Sequence, residues 1–212
     1  MPFGEVVIGA PGAGKSTYAY GKYQLFTALE RPVAIVNMDP ANDDLPYPCD
    51  VSTASLITLQ DAMNEFGLGP NGGILYCLEY LEQNFDWLLE RLGALSPDTY
   101  IVFDLPGQVE LSTNHSSLKN IVNKLVKSGY RVRLHIAPRQ PYAFTYLAYI
   151  TCHKLAVVHL CDVHYVTDAA KYISVLLLSL RAMLQLELPH INVLSKIDLL
   201  SQFSNLGWFV PL

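Results

Sequence analysis

At 212 residues the chain has room for one well-buried domain, and with 51% hydrophobic and 16% charged residues it is not a disordered chain. Its net charge of −5 argues against bulk capture of nucleic acid or anionic membrane, so any polyphosphate must be held by a local site. Cys49, Cys77, Cys152 and Cys161 show no metal-ligand spacing and read as reduced, buried thiols. No basic region precedes the short apolar run at 6–9, and the stretches 142–152 and 175–180 fall short of the ~20 residues a membrane span needs. A soluble intracellular protein is expected.

Taken in order, Glu5-Val6-Val7-Ile8 is a short strand that ends at Gly9. From Ser16 a helix follows, with Tyr18, Leu25, Phe26 and Leu29 on one face. Residues 32–37 form a second strand, and 39–44 a polar loop. A helix is expected over 56–66, a non-helical break over 67–73, and another helix over 78–92. Further strands are expected at 100–104, 155–160 and 191–194. Ile173, Leu176, Leu177, Leu180 and Leu184 mark an amphipathic helix between the last two. Apolar strands alternating with helices predict an α/β domain, a mostly parallel sheet covered on both faces. Ligands then gather at the carboxyl ends of the strands.

Each polar motif falls at such an end. Gly9-Ala10-Pro11-Gly12-Ala13-Gly14-Lys15-Ser16 matches G-x-x-x-x-G-K-[ST] between a strand and a helix, the pattern of a P-loop NTPase. Gly12, Ala13, Gly14 and Thr17 would offer backbone N–H groups to phosphate oxygens. Lys15 would bridge the β and γ phosphates, and the Ser16 hydroxyl would ligate Mg²⁺. The alternative is a glycine-rich turn with a solvated lysine. Asp104 ends a strand where a carboxylate can hold Mg²⁺, and Gly107 follows at D-x-x-G spacing, its N–H suited to the γ-phosphate. The alternative for Asp104 is a simple turn residue.

Ser195-Lys196-Ile197-Asp198 is similar to the guanine-reading N-K-x-D element, with serine in place of asparagine. Asp198 would accept from N1–H and the 2-amino group, while the Lys196 stem covers the base; a helix cap is the alternative. Asp39, after the second strand, suits the ordering of a water, or serves as a turn aspartate before Pro40. Gln108 can orient water through its amide, with Glu110 as a supporting partner; both can also be plain solvated residues.

Together with Gly69-Pro70-Asn71, these residues resemble the GPN-loop GTPases. The match runs over 3–131 and resumes over 155–200, and it is most specific at 37–42, 69–75 and 104–110. The resemblance implies a single P-loop GTPase domain over 1–212, GTP or GDP with Mg²⁺, and a homodimer or a heterodimer with a related subunit. In that pair Asn71 would reach the partner's nucleotide. It also implies a role in RNA polymerase II assembly and nuclear delivery, from the cytoplasm with shuttling to the nucleus; the charge and the short apolar runs predict no direct contact with nucleic acid or membrane.

Two departures carry their own expectations. Residues 132–154 read as an insertion, either an aromatic partner-binding excursion or a gene-model artefact such as a retained intron. The chain also reads as C-terminally truncated, which would leave the base pocket incomplete. Two other functions remain open: a catalytically impaired scaffold that pairs with a related subunit, and an ATP-using P-loop enzyme. Hydrolysis separates the first from a GTPase, and nucleotide preference the second.

Overall fold

The structure is a computed structural model and describes residues 3–42, 44–108, 111, 115–129 and 155–202. Glu110, the whole of the expected insertion at 132–154 and residues 203–212 lie outside them. The central strand β1 (Phe3–Gly9) pairs with β4 (Tyr100–Asp104) on one side and β5 (Leu155–Asp162) on the other. Beyond β4 come β2 (Val33–Asn37) and the short β3 (Val51–Ser52), and beyond β5 comes β6 (His190–Ser195). Every pairing is parallel, in the order β3-β2-β4-β1-β5-β6. β3 escapes a sequence reading because two residues carry no periodicity.

Alternation along the strands builds two cores. Val6 and Ile8 join Phe103 and Val157 beneath helices α3 (Pro70–Gln83), α4 (Phe85–Gly93), α5 (Ser116–Lys127) and α6 (Ala169–Leu186). Val7, Ile35 and Val102 face the opposite way, toward α1 (Lys15–Ala28) and the chain around Tyr47. The expected covering of both faces is found.

Several local expectations are corrected. On α1 the sequestered side is Lys15, Ala19, Lys22 and Phe26, with Tyr18 at its flank, whereas Leu25 and Leu29 are exposed. The helix expected over 56–66 begins at Leu59 as α2 (Leu59–Phe66). Thr58 and Asp61 close a capping box there, and Thr53–Ser55 forms a separate 3-10 turn. The break expected over 67–73 is three residues long, 67–69. Gly67 ends α2 in the left-handed region, and Pro70 already begins α3, because proline at the first helical position has its φ set and loses no bond. Gly73 inside α3 reflects close packing, since a Cβ there would lie 2.6 Å from Leu59 Cδ1. The helix expected over 78–92 is two helices, divided where the Asn84 side chain and N–H both donate to Tyr80 O.

The leucine stripe of α6 is also reversed from expectation. Ser179, Ala182 and Leu186 face the sheet, and Ile173, Leu176, Leu177, Leu180 and Leu184 are exposed. A 3.6-residue period identifies a helix without saying which flank meets the sheet. At 18 residues and a mean hydropathy of 1.3, α6 is long and apolar enough by composition to cross a membrane, although three of its residues pack on the domain. The apolar stretch read at 175–180 is thus the middle of a longer apolar helix.

Candidate functional site

The phosphate loop takes its shape from its glycines. Gly12 has φ 73° and Gly14 φ 91°, and Gly14 is the N-cap of α1 without any side-chain cap. The left-handed backbone turns the chain sharply into the helix, whose first-turn N–H groups are left to an external acceptor. An anion is favoured there by those donors and by the helix dipole. Ala13 departs from its expected part: its methyl is buried and its N–H donates to Ala10 O at 3.1 Å, closing the turn.

Lys15 is buried, and its ammonium donates to Gly9 O and Ala10 O, each at 3.3 Å. Burial holds its pKa below the usual lysine range, while the carboxylates of Asp104 and Asp39 pull it back up. Parallel register brings the ends of β2 and β4 level here, with Asn37 opposite Asp104. Asp39 follows directly. Its N–H donates to Asn37 Oδ1 at 3.1 Å, and its Oδ1 accepts from Ala41 N–H at 2.9 Å. Burial raises the Asp39 pKa, against the bond from Ala41 and the charge of Lys15.

These groups line one open cleft of about 580 Å³, formed by Pro11, Gly12, Gly14, Lys15, Ser16 and Thr17 on one wall. Asp39, Ala41, Asn42, Asn71, Ile74, Gly107 and Gln108 form the other. Asn71 stands in the first turn of α3, where it accepts from Gln108 Nε2 at 2.8 Å. The resemblance placed Asn71 at a partner's nucleotide; in the single chain it lies at the rim of its own cleft, exposed. A separate cavity of about 340 Å³, lined among others by Leu160, Val175, Leu178 and Ala182, is too apolar to hold a polyphosphate.

Asp104 is the most buried acid of the group, and one of its oxygens, Oδ1, has no hydrogen-bond partner. Burial raises its pKa, opposed by the Tyr47 phenol, the Ser16 hydroxyl and the Lys15 charge. A buried, unpartnered carboxylate oxygen beside a serine hydroxyl is a hard oxygen donor set of the kind Mg²⁺ takes. The residues present therefore fit that ion, and Ser16 and Asp104 would hold it.

Lys196 and Asp198 do not line this cleft. They follow β6, two strands from β1, where Asp198 is exposed in a 3-10 turn (Ile197–Gln202). Lys196, at φ 58°, donates to Asp162 Oδ2 at 2.6 Å. Two contributors were not singled out from sequence. Asn42 Nδ2 donates to Ser16 Oγ at 3.4 Å, and Tyr47 Oη donates to Asp104 Oδ2 at 2.8 Å. Both sit on the irregular segment after Asp39, where neither period nor spacing marks a side chain as inward.

The chain is similar to several known proteins. The sequence model of a family described as "Conserved hypothetical ATP binding protein" matches residues 7–142 and 137–211. The GPN-loop GTPase QQT1 of Arabidopsis thaliana is 50% identical over 208 residues, covering 98% of this chain and 62% of that protein. GPN-loop GTPase 2 of Danio rerio is 50% identical over 98% of this chain and 59% of its own length. The Saccharomyces cerevisiae GPN-loop GTPase 2 is 47% identical, with coverages of 97% and 54%. The chain thus spans a little over half the length of these relatives. Among solved structures, a GTPase in apo form from Pyrococcus abyssi superposes with a TM-score of 0.70 at 26% identity, covering 94% of this chain and 69% of that one. From the matched family model, the relatives and the cleft, the chain belongs to the GPN-loop GTPase family.

Proposed function

We propose that the chain is a Mg²⁺-dependent switch that binds and hydrolyses GTP. The observation that carries this is the single cleft in which Lys15, Ser16, Asp39, Gly107 and Gln108 meet at the N-terminus of α1. Lys15 and the first-turn amides hold the β and γ phosphates, and the Gly107 N–H holds the γ-phosphate from the opposite wall. Ser16 and Asp104 would hold Mg²⁺, which would supply charge neutralisation to the phosphates. Asp39 and the Gln108 amide orient the attacking water, and Asn71 would reach the nucleotide of a partner chain. Asp198 and Lys196 select guanine.

In this proposal the chain works as a pair, with itself or with a related GPN-loop subunit, in assembly and nuclear delivery of RNA polymerase II from the cytoplasm. Family membership supports the pairing, and the exposed place of Asn71 leaves it within reach of a second chain. Mixing a Lys15→Ala chain with an Asn71→Ala chain tests it. Each alone should hydrolyse GTP poorly, and the mixture should regain activity, since one site then has an intact lysine and a partner's intact asparagine. No recovery would confine Asn71 to its own chain. No hydrolysis by the unmutated chain, alone or paired, would contradict the enzymatic proposal.

A further inference from the structure

The acid at the end of β4 is gripped from an unexpected quarter. Tyr47 is 5% exposed and Asp104 1%, and the phenol donates to Oδ2 at 2.8 Å across 57 residues of chain. The other oxygen, Oδ1, is buried without a partner. One half of the carboxylate is thus tied down and the other half left with its lone pairs unused. A phenol suits this task, because it fixes the rotation of the carboxylate without cancelling its charge. A lysine or arginine in the same place would neutralise the group that is to meet a cation.

The segment that carries Tyr47 is itself anchored at both ends. Upstream, Asn37 holds the Asp39 N–H, and Asn42 reaches Ser16 Oγ. Downstream, the Ile35 N–H donates to Asp50 Oδ2 at 2.9 Å, the Asp50 N–H donates to Ile35 O at 3.0 Å, and Val51 pairs with Val36. Leu45, Tyr47 and Cys49 pack into the core beneath α1. One strap therefore bears Asp39 and Asn42 at the rim of the cleft and Tyr47 underneath it.

We propose that Tyr47 is a positioning residue, which holds Asp104 Oδ2 so that Oδ1 is presented to the divalent cation of the nucleotide. This rests on the Mg²⁺ assignment of the preceding subsection. Through Tyr47, the strap that carries Asp39 also sets the orientation of the acid at the metal, so the two respond together.

Tyr47→Phe removes only the phenol oxygen. GDP affinity is measured by calorimetry for both proteins, in excess Mg²⁺ and in EDTA, with thermal melts of the nucleotide-free chains alongside. The unmutated chain should bind GDP more tightly with Mg²⁺. Tyr47→Phe should keep its EDTA affinity and lose about tenfold of the Mg²⁺-dependent gain, the size seen when an outer hydrogen-bond partner of a metal ligand is removed. An independent readout is Mn²⁺ titration at fixed GDP, where the half-saturating metal concentration should rise by a similar factor. An equal loss with and without metal, the signature of a purely structural tyrosine, would overturn the inference, as would an unchanged Mg²⁺ gain. An unmutated chain indifferent to Mg²⁺ would overturn the metal assignment and this inference with it.

Discussion

Lys15→Ala is expected to weaken GTP binding by more than about 100-fold and GDP binding by about 10-fold or more, while the melting temperature of the nucleotide-free chain stays level or rises. The first half follows from charge-assisted hydrogen bonds to phosphate, each contributing ~1.5–3 kcal/mol, two of which are lost together. The second half follows from what the lysine does without a nucleotide. Its ammonium is mostly withdrawn from water, and the partners it has are two carbonyl oxygens at 3.3 Å. Among the described residues it forms no ion pair within 4 Å. Burial therefore destabilises its charged form, as the lowered pKa indicates. Alanine removes that unfavourable charge, at the cost of some packing by the aliphatic stem. A variant that melts much lower yet still binds nucleotide would show the lysine to be a structural residue.

Gly107→Ala should act on the same cleft by sterics. A Cβ at this position would lie 2.8 Å from Lys15 Nζ, 2.8 Å from Pro11 Cα and 3.1 Å from Pro11 N. The lysine end can swing aside, but Pro11 is backbone at the crest of the phosphate loop. Room is made only by moving that loop away from the 104–108 segment, which separates the donors meant to share one phosphate chain. The expected result is a 10- to 100-fold loss of affinity for a non-hydrolysable GTP analogue, roughly 1.4–2.7 kcal/mol, with a smaller fall in melting temperature. Calorimetry and a thermal melt on one preparation check both. Unchanged affinity would place the γ-phosphate elsewhere than beside Gly107.

Much of this was legible before the structure. β-branched runs ending in glycine or aspartate marked the central strands, and the phosphate-loop spacing fixed Lys15 and Ser16, because phosphate binding demands those residue types at those intervals. What was illegible has common physical causes. Exposed leucines on α1 and α6 carry the same period as buried ones, so the pattern gave a helix but the wrong face for Leu25, Leu29 and Leu177. Gly73 looked like part of a break, yet close packing of α2 on α3 calls for a small residue there too. Tyr47 lies between Pro46 and Pro48 in an irregular loop, and only tertiary folding shows that its phenol meets Asp104. Asn71 and Gln108, 37 residues apart, meet because α3 starts where the chain leaves β4.

The central claim is a guanine nucleotide held by this cleft, and calorimetric binding of GDP, GTP and ATP with Mg²⁺ tests it most directly. The account predicts a clear preference for GDP and GTP over ATP that Asp198→Ala abolishes, leaving the weaker, base-independent binding supplied by Lys15 and the phosphate loop. Equal binding of all three nucleotides, a preference for ATP, or no effect of Asp198→Ala would contradict it.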